Sequence, residues 1–190
     1  MVGAVTVSRF TIPAGKEREY ESMLLSFGDE VREDRGYVST SVWHDVVHQD
    51  RYLRITAFEN WEALEKSYQE MVDSGFLVEA VEKWGVAPDV IRCVPAWSHR
   101  FSFKDIHDSE FLSLSIRALD PGFGSDWVNK LKNNFREVSL IPGFEGAWVG
   151  TTDILPDQVT GIVLWQDEAS FKRSVPADVE YQIDLYSAYR

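Results

Sequence analysis

The chain has 190 residues, 44% of them hydrophobic, and a formal net charge of −12 from 31 acidic against 19 basic side chains. That balance, with no block of Lys or Arg, would repel a phosphate backbone or an anionic bilayer and argues against nucleic-acid and membrane partners. A single cysteine, Cys93, excludes an internal disulfide and a cysteine zinc site. No apolar run approaches the ~20 residues that span a bilayer, and the opening MVGAVTVSRF enters a strand pattern with no apolar leader, which predicts a cytoplasmic protein.

Taken in order, residues 4–12 alternate as a first strand (Val5 and Val7 against Thr6, Ser8 and Phe10), closed by Pro13-Ala-Gly15. Residues 16–34 read as a helix, with Tyr20, Met23, Leu24, Phe27 and Val31 on one apolar stripe and Gly36 at its end. Strands follow over 37–47 and 51–59, joined by His48-Gln-Asp50. Asn60 stands where a helix N-cap belongs, ahead of a helix from Trp61 to about Val72. Ser74-Gly75 interrupts it, a second helical piece carries Leu77, Ala80, Val81 and Trp84, and Val90–Trp97 reads as a fourth strand. The order β-α-β-β-α-β is the ferredoxin-like arrangement.

Residues 98–110 read as a linker with room for an extra edge strand, and a second unit follows over 111–190 after a first unit over 1–97. Its elements are a strand over 111–118, a turn at Asp120-Pro-Gly122, a helix over 125–140 with Trp127, Val128, Leu131, Phe135 and Val138 inward, strands over 144–152 and 158–166, a short helix over 168–174 and a closing strand over 179–189. The two units align without gaps at an offset of 107 residues: Gly15 with Gly122, Tyr20 with Trp127, Gly36 with Gly143, Phe58 with Trp165, Asn60 with Asp167, Ser67 with Ser174. Constant spacing of glycines, aromatics and caps marks two copies of one unit. Strands with bulk on both faces (Leu53 and Ile55 against Phe58; Ile162 and Leu164 against Trp165) need cover on both. The fold expected is therefore α+β: two tandem ferredoxin-like units packed sheet to sheet as an intrachain α+β barrel. Because a second helical piece occupies 76–84 and Pro176 cuts its counterpart short, unit 1 is expected to hold the larger pocket.

Trp165-Gln-Asp-Glu-Ala-Ser-Phe171, its weaker copy Phe58-Glu-Asn-Trp-Glu-Ala-Leu64 and Pro142-Gly143-Phe144 resemble the antibiotic biosynthesis monooxygenase family, whose units pair as dimeric α+β barrels. The resemblance spans nearly the whole chain, twice. It implies a cofactor-independent monooxygenase, or a related small-molecule enzyme, acting on an aromatic or polyketide-like compound. Its quinone-forming members place an Asn four residues before the Trp and a Tyr six after. Here those positions hold Gly161, Trp165 and Phe171 in one copy and Arg54, Phe58 and Leu64 in the other, so only Trp165 matches. The heme-degrading branch would use positions that here hold Ser8, Ser67 and about Leu77, with Ser115 and Ser174 in the second copy. None of these supplies an imidazole, which disfavours heme degradation and implies a colourless protein.

Arg54 shares a strand face with Thr56 and Phe58, the face that lines a cavity in such proteins. There a guanidinium could bind a carboxylate or phenolate, or it could pair with an acid such as Glu19 or Asp45. The substrate-binding candidates are Arg54, Phe58, Ser8, Tyr68 and Trp165, with no catalytic residue assigned and no metal or cofactor expected. His44 and His48 lie roughly 13 Å apart along a strand and turn, too far to share a metal, and Asp105, His107, Asp108 and Glu110 read as a solvated linker. Three readings stay open: an enzyme, a binding module for a small apolar or aromatic ligand, and a structural barrel whose sites are lost. The chain would act as a monomer with its own barrel or as a homodimer.

Overall fold

The structure is a computed structural model that describes residues 2–20, 22, 36–85, 88–152, 155, 157–175 and 182–189. The chain divides into two compact units, Met1–Arg92 and Cys93–Arg190.

Unit 1 is built on strands β1 (Ala4–Thr11), β2 (Tyr37–Asp45) and β3 (Arg51–Phe58), with the first residues of β4 (Asp89–His99) beside β1. The order β4-β1-β3-β2 is that of a ferredoxin-like sheet. β3 lies centrally and pairs antiparallel with both neighbours, Ser8 facing Arg54 on one side and Val42 facing Arg54 on the other. That position explains why seven of its eight residues, Tyr52–Phe58, are buried. Helix α1 (Trp61–Asp73) starts as its sequence requires: the Asn60 side-chain oxygen accepts from the Ala63 backbone N–H at 2.9 Å, satisfying a donor the helix cannot. Its buried residues Leu64, Ser67 and Met71 recur at helical spacing and face the sheet. Helix α2 (Phe76–Trp84) follows Gly75 and stops at Gly85, both left-handed. Residues 17–20 are helical, but the remainder of the helix expected over 16–34, including Met23, Leu24, Phe27 and Val31, lies outside the described residues.

In unit 2 the end of β4, Cys93–His99, pairs antiparallel with β6 (Phe144–Thr152). β5 (Phe111–Ala118), β7 (Gln158–Trp165) and β8 (Asp184–Ala188) complete a sheet of order β8-β5-β7-β6, the same topology again. β7 is the counterpart of β3, with Ser115 facing Gly161 and the seven residues Val159–Trp165 buried. Helix α3 (Gly124–Val138) covers this sheet through Val128, Leu131 and Phe135. Helix α4 (Glu168–Ser174) is capped by Asp167, whose carboxylate accepts from the Ser170 backbone N–H at 2.7 Å and its hydroxyl at 2.8 Å. Pro176, expected to cut this helix short, lies outside the described residues, as does the start of the strand expected over 179–189. Residues 98–110 include a 3-10 turn (Ile106–Asp108) whose Ile106 is buried along with Phe103 and Ser109.

One pair of tryptophans shows how the copies diverged. In unit 1 the Trp43 indole N–H donates to Ser41 Oγ at 2.8 Å. In unit 2 the tryptophan stands two residues earlier, Trp148 where Ser41 does and Gly150 where Trp43 does. A Cβ on Gly150 would lie 2.1 Å from the Trp148 ring, so the glycine is the space that the ring fills.

Candidate functional site

Both units carry a pocket between the sheet and α1 or α3–α4, and the lining residues match at the 107-residue offset. In unit 1 the strand side is Thr6, Ser8, Arg54, Thr56 and Phe58, with Leu64, Ser67, Tyr68 and Met71 from α1. In unit 2 it is Ser113, Ser115, Gly161, Val163 and Trp165, with Phe171 and Ser174 from α4 and Asn134, Phe135, Glu137 and Val138 from α3. Seven positions are therefore common to both. Period-two alternation puts residues 54, 56 and 58, and 161, 163 and 165, on one face of the central strand.

The volumes differ. The unit 2 cavity measures about 230 Å³, its unit 1 counterpart about 30 Å³. Among the described residues this reverses the expectation that unit 1 would hold the larger pocket. Side-chain bulk at the shared positions outweighs helix length: Arg54 stands where unit 2 has Gly161, and Tyr68 and Met71 add volume from the longer α1. A Cβ on Gly161 would already meet Ser115 Oγ at 2.9 Å and the Phe135 ring at 3.1 Å.

Of the sequence-predicted residues, the structure gathers Ser8, Arg54, Phe58 and Tyr68 in the unit 1 pocket and puts Trp165 in that of unit 2. Arg54 is 5% exposed and its guanidinium lies 5.6 Å from the Phe10 ring centroid. Burial lowers its pKa to about 10, partly countered by Tyr20, so it stays charged at neutral pH. Burial pushes the Tyr20 phenol well up. Glu19 ion-pairs with Lys16 at 3.1 Å, and Asp45 accepts the Val47 and His48 backbone N–H groups at 2.8 Å each. In unit 2 the arginine has moved. Arg117, aligned with Phe10, stacks at 4.2 Å on Trp127, aligned with Tyr20. The cation–aromatic contact survives at the edge, and the pocket is left without it.

Trp165 is 1% exposed and forms the apolar wall of the unit 2 cavity, set edge-on to Phe144 and Phe171. Its indole N–H donates to Ser113 Oγ at 2.9 Å, which fixes the ring plane. Asn134, half-buried, and Glu137, exposed, add an amide and a carboxylate to the lining, Glu137 being the only titratable group among the described lining residues. Such a site holds a flat apolar molecule against aromatic faces and offers polar contacts to its substituents. Sequence reasoning did not assign Ser113, Asn134 or Glu137 to the site. Extending the 107-residue offset from Ser8 to its strand neighbour Thr6 would have found Ser113. At the same offset Asn134 aligns with Phe27, which lies on the apolar stripe of the helix expected over 16–34, whereas Glu137 aligns with Glu30, which carried no prediction. His44 sits on the Gln49 carbonyl at 2.7 Å, and His99 packs near Trp97 and Phe144. No group of three or more His, Cys, Asp or Glu is arranged to hold a metal among the described residues.

The fold is α+β: tandem ferredoxin-like units of the α+β-barrel class. No protein-family model and no curated protein matches the chain, but solved structures match its whole length. An anthrone oxidase-like protein superposes with a TM-score of 0.74 at 12% identity, covering 99% of this chain and 92% of that one. A candidate monooxygenase from Fusobacterium nucleatum gives 0.73 at 11% identity over 100% and 93%. A ferredoxin-fold protein from Listeria monocytogenes, related to antibiotic biosynthesis monooxygenases, gives 0.57 at 9% identity over 99% and 96%. The chain thus shares the fold of antibiotic biosynthesis monooxygenase-like proteins from end to end.

Proposed function

We propose that this protein is a monooxygenase-type enzyme that oxidises an electron-rich aromatic or polyketide-like compound without a cofactor, using the unit 2 cavity. The observation that carries this reading is the cavity of about 230 Å³ walled by Trp165, Phe171 and Phe135. A net charge of −12 supports a small-molecule substrate over a nucleic acid. The fold shared with an anthrone oxidase-like protein supports the reaction class.

The chemistry asked of the residues is limited, because such a substrate carries its own electrons. The aromatic walls hold the ring, and Ser115 and Asn134 orient its polar groups. Glu137 takes a proton from an activated methylene or phenol, leaving a carbanion or phenolate that reduces dioxygen. For an anthrone the balance is closed: the methylene carbon loses two hydrogens and gains one oxygen atom as a carbonyl, while the second oxygen atom leaves as water.

Oxygen uptake with anthrone as probe tests this. One dioxygen consumed per quinone formed, with a kcat loss of roughly tenfold to a hundredfold or more in Glu137→Gln, is the expected result. Binding of anthrone without uptake above the uncatalysed rate replaces the enzyme reading with that of a binding module.

A further inference from the structure

The two pockets are copies, yet their contents differ at one shared position. Residue 54 faces Ser8 across β1–β3, and residue 161 faces Ser115 across β5–β7. Gly161 is conformationally ordinary: no positive φ requires a glycine there. What requires it is space. The nearest atoms to an added Cβ are the Ser115 hydroxyl and the Phe135 ring, both cavity walls, so any side chain at 161 grows into the cavity. In unit 1 that growth is present as Arg54, and about 30 Å³ remains.

We propose that residue 54/161 decides which copy of the duplicated unit has a working pocket, so that the chain binds one flat aromatic ligand, in unit 2, against the bare backbone of Gly161. Arg54 is then an internal occupant. Its stem fills the ligand space of unit 1 and its guanidinium rests on Phe10. Duplication leaves one copy to keep the fold and the other to bind. The inference rests on the proposed function only in taking the unit 2 cavity to accept an aromatic ring, and it concerns binding rather than turnover.

The test is the stoichiometry and affinity of phenol and 1-naphthol, measured calorimetrically on the full chain under nitrogen. Wild type should bind one equivalent. Gly161→Ala should lower the affinity at least tenfold, and Gly161→Arg should abolish binding, with melting temperatures confirming that both variants fold. Arg54→Ala should add a second, weaker site for phenol, because it removes the side chain that fills the shared position in unit 1. If Gly161→Arg fails to fold, Gly161→Ala and Arg54→Ala still decide. Unchanged affinity in Gly161→Ala, two equivalents in wild type, or no gain of a phenol site in Arg54→Ala would each overturn the proposal. Oxygen uptake is read separately, so correct stoichiometry with no uptake would sink the enzymatic reading and leave this one standing.

Discussion

Arg54 and Gly161 occupy one position in a duplicated sheet, Arg54 across from Ser8 and Gly161 across from Ser115. The larger side chain is buried at 5% exposure, and its absence in unit 2 opens a cavity walled by aromatic rings.

Ser113→Ala removes the acceptor of the Trp165 indole N–H, bonded at 2.9 Å in a site where Ser113 is 5% and Trp165 1% exposed. A buried donor left unsatisfied costs about 1–3 kcal/mol. Urea unfolding should show that loss, together with a shift in tryptophan fluorescence. Ser113→Thr keeps the hydroxyl and should recover most of it. A loss in Ser113→Ala below about 0.5 kcal/mol would mean that packing alone orients the ring.

Gly122 and Gly143 separate backbone strain from crowding. Their φ angles are +90° and +89°, so alanine at either position costs about 1–2 kcal/mol for the left-handed backbone. A Cβ on Gly122 meets nothing within 4 Å, whereas on Gly143 it would lie 2.1 Å from Ser170 Oγ. Ser170 is fully buried and held by Asp167, so Gly143→Ala carries an additional roughly 1–3 kcal/mol. Equal losses in the two variants, by chemical denaturation, would contradict the crowding account.

The two caps should respond differently to pH. Asn60 carries no titrating group, and Asn60→Ala should cost about 1 kcal/mol at every pH at which the protein folds. Asp167 is held below the ordinary carboxylate value of 3.8, first by the Ser170 hydroxyl and then by its backbone N–H. A depressed folded-state pKa stabilises above the unfolded value and loses that stabilisation as pH falls through the folded one. The stability gap between wild type and Asp167→Ala should thus be constant at neutral pH and close on acidification below about pH 4. A gap that widens in acid would reverse the assignment.

Much of this architecture was legible because short-range rules govern it. Asn60 and Asp167 are caps by chemistry, and Gly36 and Gly143 lead into β2 and β6 with left-handed φ of +87° and +89°. The alternation through Arg54, Thr56 and Phe58 put the right residues on the pocket face. Pocket size was not legible in the same way. It depends on the volume at one position summed over neighbours from three elements, and Gly161 in the sequence is a missing side chain rather than a signal. Helix length, taken as the guide, pointed to the wrong unit. Asn134 escaped notice although it aligns with Phe27 of the expected apolar stripe, and Glu137 because it is an exposed residue on the last turn of α3.

The central claim is that the working pocket lies in unit 2 against Gly161, and a crystal structure with bound 1-naphthol tests it most directly. The account predicts one molecule per chain, its ring between Trp165 and Phe135 with one edge on the Gly161 backbone and its hydroxyl within hydrogen-bonding distance of Ser115 or Asn134. A ring bound instead in the unit 1 pocket beside Arg54, or on the surface beside Arg117 and Trp127 with the unit 2 cavity empty, would contradict it.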